Sequence, residues 1–215
     1  MSLLEIIADK AISRNTLDLM GICYVSKGSV TGQLGPEFTH RLSDWGDERL
    51  VYPLRDLWSS FRGLAYRTTQ LKFMYDTAYA TRPTSMLYGL NVAHTCIAES
   101  GYAIIVEGIF DFLKLYDNGV KNVVSSLGTN LSWDQACLLR RFTTTAVVVY
   151  DPDTAGREAA AAARIRLGRA GIAATTLDLG TLDPDDFVAA HGEEKFKNLC
   201  SQSLKNTESS ALMYP

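Results

Sequence analysis

The sequence predicts an α/β fold, in which a parallel sheet flanked by helices follows a smaller α+β lobe. Unbroken apolar runs alternate with helix-like segments from residue 103 onward, and such runs are typical of strands that are buried on both faces. Acidic residues stand directly after several of these runs. Because strands that alternate with helices form parallel sheets, their carboxyl ends meet at one edge, where folds of this class bind ligands.

Four strands and two helices are predicted in this half of the chain. The first helix, over residues 112–118, is followed by Gly119, and glycine is common just past a helix end. The second helix begins at Ser132 and runs through residue 141, because Ser132 and Gln135 have the S-x-x-Q form of a capping box. The predicted strands cover residues 103–106, 122–126, 144–150 and 173–179.

Six acidic residues lie at or near the ends of these strands, and the sheet is expected to bring them into one crevice. Like charges about 4 Å apart repel by roughly 1 to 4 kcal/mol per pair, so such a cluster must be hydrated, partly protonated or bound to a divalent cation. Magnesium suits it best, since Mg²⁺ takes oxygen ligands and keeps several waters. The six are Glu107, Asp111, Asp151, Asp153, Asp183 and Asp185.

Some of these acids have a purely structural explanation as well. Asp111 and Asp183 each precede a helix-like segment and could be N-caps, a position that aspartate favours, and Pro184 suits the first turn of a helix. Cap and metal-ligand roles are compatible. Glu107 could simply end a strand, whereas Asp151 and Asp153 at the end of a buried strand favour metal binding.

The first part of the chain reads as an α+β lobe with short antiparallel strands. Helical spacing of apolar residues predicts helices over residues 2–11 and 15–20, and the second is expected to stop at Gly21. Glycine and serine over residues 26–35 indicate a loop. Strands are predicted over residues 22–25, 50–56, 61–68 and 71–75.

Charge is distributed unevenly along the chain, although the net charge is only −3. Residues 49–82 hold six Lys and Arg against two Asp, which gives +4, whereas residues 96–192 hold eight against twelve, which gives −4. A basic segment together with an acidic metal-binding edge suits a phosphate polymer and a charged nucleotide. An ordinary solvated face is the alternative.

The second half of the chain contains three acidic motifs, the E-G-x-x-D of Glu107 to Asp111, the D-x-D of Asp151 and Asp153, and the D-P-D that begins at Asp183. In these motifs it resembles the TOPRIM domain of bacterial-type primases, topoisomerases and some nucleases. The resemblance covers residues 102–192 and is strongest toward DnaG-type primases, whose "NVVASLGT" and "YDGDxAGxxAA" segments are similar to residues 122–129 and 150–160. Pro152 differs, because the family usually has glycine there.

A second resemblance to the DnaG-type primases covers residues 14–90. Residues 49–56 are similar to the "RxxFPIRD" entry of the family's basic lobe, residues 63–67 to "GFGGR", and residues 86–90 to "xLYGL". The "NSPET" motif has no counterpart in residues 75–80. The resemblance implies that nucleotide or template phosphates are bound by Arg55, Arg67, Lys72 and Arg82.

Together the two resemblances imply a DNA primase, a DNA-directed RNA polymerase that makes short RNA primers on single-stranded DNA from NTPs. Glu107, Asp151 and Asp153 are the expected catalytic residues, and all six acids are candidate ligands of Mg²⁺ or Mn²⁺. Two alternatives stay open: a TOPRIM nuclease that cuts phosphodiesters with the same acids, and a non-catalytic module that binds single strands or a replication partner.

The cysteines at positions 23, 96, 137 and 200 form no C-x-x-C pair, so no zinc module is expected in this chain. A replicative helicase or a separate zinc-module protein is therefore an expected partner, and a compact primase of bacteriophage origin would fit. No apolar run approaches membrane-span length, and a cytoplasmic setting is expected. The expected domains are residues 1–95 (basic lobe), 96–192 (TOPRIM) and 193–215, a tail partly disordered past residue 201.

Overall fold

A computed structural model describes residues 3–26, 29–31, 48–69, 74–76, 83–128 and 130–211. The chain divides into two compact units, Met1–Arg82 and Pro83–Pro215. The sequence instead predicted a boundary between residues 95 and 96. That position lies inside helix Leu90–Ser100, whose buried residues Ala93 and Ile97 pack with the second unit, so the division after Arg82 replaces the predicted one.

The first unit is built on an antiparallel sheet of five strands in the order β2-β1-β3-β4-β5. Helix α2 begins at Ser13, whose side chain accepts the Thr16 N–H, and ends at Gly21 in the left-handed conformation, as predicted. Its elements are α1 Leu3–Asp9, α2 Arg14–Met20, β1 Cys23–Ser26, β2 Ser29–Thr31, β3 Arg49–Arg55, β4 Phe61–Arg67 and β5 Met74–Asp76.

Strand β2 is a correction to the loop predicted over residues 26–35. It pairs with β1 in a tight antiparallel hairpin, in which Val25 lies opposite Val30. A strand of three residues is too short to produce the alternating pattern that marks longer strands. The core beneath the sheet contains Cys23, Val25, Val51 and Leu64.

The second unit contains the predicted parallel sheet, with four strands in the order β7-β6-β8-β9. Among the described residues, no helix has both the length and the apolar character needed to cross a membrane. After a 3-10 turn at Pro83–Ser85, the elements are α3 Leu90–Ser100, β6 Ala103–Val106, α4 Ile109–Asp117, β7 Val123–Ser125, α5 Trp133–Leu139, β8 Thr145–Val149, α6 Thr154–Arg169, β9 Ala173–Thr176, α7 Pro184–His191 and α8 Glu193–Ala211.

The central strands β6 and β8 determine which acids become neighbours. Their apolar side chains are fully buried, which explains the unbroken apolar runs in the sequence. The two strands are parallel, and Val106 is paired with Val149. Glu107 and Asp151 therefore leave adjacent strands at nearly the same level of the sheet.

In the second unit, one helix, one strand and the tail differ most from the sequence predictions. Helix α4 begins at Ile109 rather than at residue 112, and β9 ends at Thr176 rather than at residue 179. The segment predicted to be a partly disordered tail is helix α8 as far as Ala211. Phe196 and Cys200, one helical turn apart, are fully buried and anchor this helix to the second unit.

Candidate metal centre

Glu107 lies directly after β6 and faces other acids at the sheet edge. The side chain is half-buried. Burial, and then the negative charges of Asp151 and Asp153, together raise its pKa to about 7. These three acids, which come from two adjacent strand ends, therefore share one electrostatic environment, as the sequence predicted for acids at the carboxyl edge.

Asp111 belongs to a second part of the same cluster. It is 8% exposed and lies in the first turn of α4, where its Oδ2 accepts the Gly108 N–H at 3.0 Å. Burial raises its pKa well above the usual value, and Asp151, Asp185 and Asp183 raise it further, whereas the Gly108 hydrogen bond lowers it. The N-cap is Gly108, so the cap position predicted for Asp111 is corrected to the third residue of the helix.

Asp111, Asp183 and Asp185 each offer a carboxylate oxygen, and these oxygens lie within 4.8 Å of one another. Asp183 is the N-cap of α7, as predicted, and its Oδ1 accepts the Asp186 N–H at 2.9 Å. Asp185, in the first turn of the same helix, is only 2% exposed. These three converging carboxylates, of which Asp111 and Asp185 are buried and Asp183 is half-buried, form an oxygen-only donor set of the kind that hard divalent cations prefer.

Asp153 is held by the helix that follows β8. It is the N-cap of α6, and its Oδ1 accepts the Gly156 N–H at 2.7 Å. The sequence reading did not foresee this cap, although the T-A-G sequence after Asp153 gives the spacing of one. Because the bond uses one carboxylate oxygen, the second oxygen of Asp153 can still take part in metal binding.

Gly156 explains how α6 comes so close to the end of β8. A Cβ at this position would lie 2.3 Å from the backbone oxygen of Asp151. Any larger residue would push the start of the helix away from Asp151 and would move Asp153 with it. The glycine therefore fixes the spacing of the D-x-D pair, which here is joined by Pro152.

The loop after β7 supports Glu107 from the other side. Ser125 Oγ donates to the backbone oxygen of Glu107 at 2.9 Å, and the Gly128 N–H donates to the same oxygen at 3.1 Å. Ser126 Oγ lies 2.8 Å from the hydroxyl of Tyr150. The sequence analysis assigned no role to these residues, since bonds between positions so far apart leave no local pattern.

The cluster as a whole fits a divalent cation. The acids come from the ends of β6 and β8 and from helices α4 and α7, and the charge of Asp151 acts on both Glu107 and Asp111. Every donor is a carboxylate oxygen, and the raised pKa values of Glu107 and Asp111 reflect burial first and then repulsion between the acids, which a bound cation would relieve. The residues that could hold the cation are Glu107, Asp111, Asp151, Asp153, Asp183 and Asp185.

The basic residues named in the sequence analysis lie in the first unit. Arg55 ends β3, and its Nη1 donates to the backbone oxygen of Ser59 at 3.1 Å. Arg67 ends β4 and is half-buried. Lys72 and Arg82 lie outside the described residues.

Comparison with known proteins finds a family that is similar to the part of the chain that carries the acids. The family model described as Toprim-like matches residues 104–188, a stretch that runs from β6 into α7 and includes all six acids. Residues 104–188 are therefore similar to the Toprim-like family. Glu107 lies near the start of this stretch, and Asp183 and Asp185 lie at the start of helix α7.

Curated proteins that are similar to this chain are named DNA primase. The DNA primase of Aquifex aeolicus is 42% identical over 118 residues, which are 54% of this chain and 24% of that protein. The DNA primase of Staphylococcus aureus is 27% identical over 163 residues, which are 74% of this chain and 27% of that protein. This chain thus spans about a quarter of the length of the curated relatives that it matches.

A solved structure extends the similarity beyond the TOPRIM domain. The Aquifex aeolicus primase, solved with its zinc-binding and RNA polymerase domains, superimposes with a TM-score of 0.80 and 28% identity over 94% of this chain and 57% of that chain. A DnaG primase catalytic domain bound to ssDNA shares the fold, with a TM-score of 0.73 and 24% identity over 94% of this chain and 73% of that chain. The fold of this chain is therefore that of the DnaG-type primase catalytic core.

Proposed function

We propose that this chain is the catalytic core of a DNA primase, which synthesises short RNA primers on single-stranded DNA by metal-dependent nucleotidyl transfer. The observation that carries the proposal is the convergence of six carboxylates at one edge of the TOPRIM sheet, three of them with oxygens within 4.8 Å of one another. The curated relatives named DNA primase support the same reading.

In the proposed reaction, the 3′-hydroxyl of one nucleotide attacks the α-phosphate of an incoming NTP, and pyrophosphate leaves. Asp111, Asp151, Asp183 and Asp185, with Asp153, would hold Mg²⁺ or Mn²⁺. A bound divalent ion supplies a counter-charge for the triphosphate and lowers the pKa of the attacking hydroxyl. The choice of Mg²⁺ or Mn²⁺ is the specific part of the proposal, because a set of carboxylate donors suits any hard divalent ion.

Glu107 is proposed to accept the proton of the 3′-hydroxyl. Its pKa of about 7 lies near the working pH, which is where a general base is most effective. Burial, and then the charges of Asp151 and Asp153, produce this value in the metal-free protein. A cation bound by these neighbours would lower the pKa and keep Glu107 ionised, which is the form that accepts a proton. The hydrogen bonds to the Glu107 backbone oxygen keep the residue at the sheet edge.

The phosphates of the NTP and of the template are proposed to contact the basic residues of the first unit. Arg55 and Arg67 are the described candidates, and Lys72 and Arg82 are candidates from the sequence. Arginine is suited to this role because its planar guanidinium can bind two phosphate oxygens at once. A replicative helicase or a separate zinc-module protein remains the proposed partner.

The test is incorporation of labelled NTPs on single-stranded DNA with Mg²⁺ or Mn²⁺. Asp151→Asn should lower primer synthesis at least about a hundredfold, as expected when a group that organises transition-state charge is lost. Circular dichroism should show an unchanged fold. Asp178→Asn is the matched control, since Asp178 is 62% exposed and pairs with Arg157 outside the cluster, and it should retain activity.

A parallel reaction without NTPs separates synthesis from phosphodiester cleavage. The proposal requires wild-type protein to lengthen products when NTPs are present and to leave the DNA intact when they are absent. Magnesium-dependent degradation without NTPs would instead identify a TOPRIM nuclease. Wild-type primer yield from Asp151→Asn would refute the assignment of the cluster to catalysis.

A further inference from the structure

The turn between β3 and β4, residues 56–60, presents a tryptophan to solvent. Trp58 is 73% exposed, more than any other large apolar residue in the described part of the first unit. A single exposed apolar residue is ordinary in itself. Trp58 differs because the turn that carries it is held in one conformation by its own hydrogen bonds and by two arginines. We call residues 56–60 the Trp58 turn.

Asp56 organises the Trp58 turn. Its Oδ1 accepts the backbone N–H of Trp58 and that of Ser60, each at 3.0 Å. The backbone N–H of Asp56 donates to the backbone oxygen of Ser60 at 2.9 Å, and the backbone N–H of Ser59 donates to the backbone oxygen of Asp56 at 2.9 Å. Ser59 has φ 61°, in the left-handed region that non-glycine residues seldom adopt. The backbone beneath Trp58 is therefore fixed before any ligand arrives.

Two arginines bind the same turn. Arg62 donates to Asp56 Oδ2 from Nε at 2.8 Å and from Nη2 at 2.6 Å, and its side chain is 48% exposed. Arg55 donates from Nη1 to the Ser59 oxygen at 3.1 Å. The hairpin as a whole, residues 49–67, holds four Arg against one Asp, a net charge of +3. Each guanidinium has five N–H donors, so these bonds leave donors for an anionic ligand.

We propose that Trp58 stacks on a base of single-stranded DNA, while the guanidiniums of Arg55 and Arg62 contact the adjacent phosphates. Single-strand binding sites combine aromatic side chains, on which bases stack, with cations that follow the backbone. A duplex hides the faces of its bases from such a side chain. This inference rests on the proposed function, because the strand is the primase template, but Trp58 itself lies outside the acidic cluster.

A nucleic acid fits the Trp58 turn better than a protein partner does. A tryptophan at the centre of a protein interface is usually surrounded by further residues that exclude water. Here the neighbours Ser59 and Ser60 are polar and exposed, and the nearby side chains that bind the turn are cationic. Those surroundings suit one flat base flanked by phosphates.

The test measures the affinity of the full chain for a fluorescently labelled oligothymidylate by anisotropy. Trp58→Ala should weaken binding about tenfold, which corresponds to about 1.4 kcal/mol at 25 °C and lies within the range for loss of one stacked base. Trp58→Phe, which keeps an aromatic face, should restore most of the affinity. The salt dependence of binding should keep its slope in both variants, because no charge is removed.

Trp133→Ala is the matched control. Trp133 is a 49% exposed tryptophan of the second unit, and its loss should leave the affinity unchanged. If Trp58→Ala binds the oligonucleotide as tightly as wild type, or if Trp133→Ala weakens binding equally, the assignment to the Trp58 turn is overturned. The first of these results would favour a protein, rather than a nucleic acid, as the ligand of the Trp58 turn.

The same experiment separates this inference from the function on which it rests. Wild-type protein that binds no single-stranded DNA contradicts the proposed primase and the stacking site together. Wild-type binding that Trp58→Ala does not alter contradicts only the stacking site. A tenfold loss in Trp58→Ala with an unchanged slope supports both.

Discussion

The charge of Asp151 acts on both parts of the acidic cluster. This charge raises the pKa of Glu107 and that of Asp111, although these side chains belong to different groups of acids. Removing this one charge should therefore lower both pKa values, whereas removing Asp153 acts on Glu107. That difference makes Asp151 the most informative single position in the cluster.

The ionisation of Glu107 predicts how stability depends on pH in the absence of divalent ions. The folded protein holds the Glu107 proton up to a pKa of about 7, whereas an unfolded chain releases it near the usual value of 4.5. Between these values the folded state binds more protons, so stability falls as pH rises from 4.5 to 7. Below this window the stabilisation is fully present, and above it the stabilisation is lost.

Thermal unfolding in EDTA at pH 5 and pH 8 checks this prediction. Asp111 contributes with the same sign, so the useful quantity is the difference between wild type and Glu107→Gln, which cannot ionise. The melting temperature of wild type should fall more between the two pH values than that of the variant. Parallel curves for the two proteins would show that Glu107 ionises in the fold as it does in water.

The six acids could be predicted from residue type and position, but the hydrogen bonds around them could not. Two acids at the end of a buried apolar run have few structural explanations, and that selected Asp151 and Asp153, whereas Glu107 was selected by the E-G-x-x-D resemblance. The contact between Ser126 and Tyr150 joins residues 24 positions apart, and no spacing rule reports it. The exposure of Trp58 could not be predicted either, because a single tryptophan in a strand-rich segment usually lies in the core.

At the level of elements, the starts of three helices position most of the acids. Helices α4, α6 and α7 begin with backbone N–H groups that bind Asp111, Asp153 and Asp183, respectively. The partial positive charge at each helix N-terminus stabilises the carboxylate beside it. The starts of these helices thus offset part of the repulsion within the cluster.

Gly156→Ala tests whether the start of α6 sets the position of the D-x-D pair. The new Cβ would lie 2.3 Å from the Asp151 oxygen, so the helix must shift. We expect a loss of about 1 to 3 kcal/mol in the free energy of unfolding, as for other overpacked sites. Primer synthesis should fall further than stability does, and denaturant unfolding alongside the activity assay measures both.

Gly168→Ala in the same helix is the control for that substitution. A Cβ at Gly168 meets no atom within 4 Å, and alanine is a better helix former. This variant should gain up to about 1 kcal/mol of stability and keep its activity. Equal behaviour of the two variants would mean that the close approach at Gly156 has no functional consequence.

Element boundaries were predicted less well than the elements themselves, for physical reasons. Helix α4 begins three residues before the predicted start because Gly108 can act as its N-cap and Asp111 can close the first turn from inside the helix. Strand β9 ends early because hydrogen bonding to β8 ends near Leu177. Both outcomes depend on a tertiary partner that the local sequence does not contain.

At the scale of the whole molecule, the sequence predicted the architecture but not the position at which the chain divides into two units. The parallel sheet and the antiparallel lobe both follow from periodicity. The predicted boundary fell inside helix α3, since only the packing of this helix on β7 shows that all of it belongs to the second unit. The polar composition after residue 192 predicted a partly disordered tail. The segment instead forms helix α8, which is anchored by the buried side chains of Phe196 and Cys200.

The central claim is that acids from separate strand and helix ends form one divalent metal site. Calorimetric titration of the full chain with Mn²⁺ and Mg²⁺, with and without NTP, tests it most directly. Asp185→Asn is the informative variant, because Asp185 is 2% exposed and belongs to the group whose oxygens lie within 4.8 Å of one another. Asp178→Asn, outside the cluster, is the control of equal charge.

Wild type and Asp178→Asn should take up the ions with similar affinity, and Asp185→Asn should lose uptake at least about tenfold, as expected when one ligand of a charged oxygen site is neutralised. Wild-type protein that binds neither Mn²⁺ nor Mg²⁺, even with NTP present, would contradict the account.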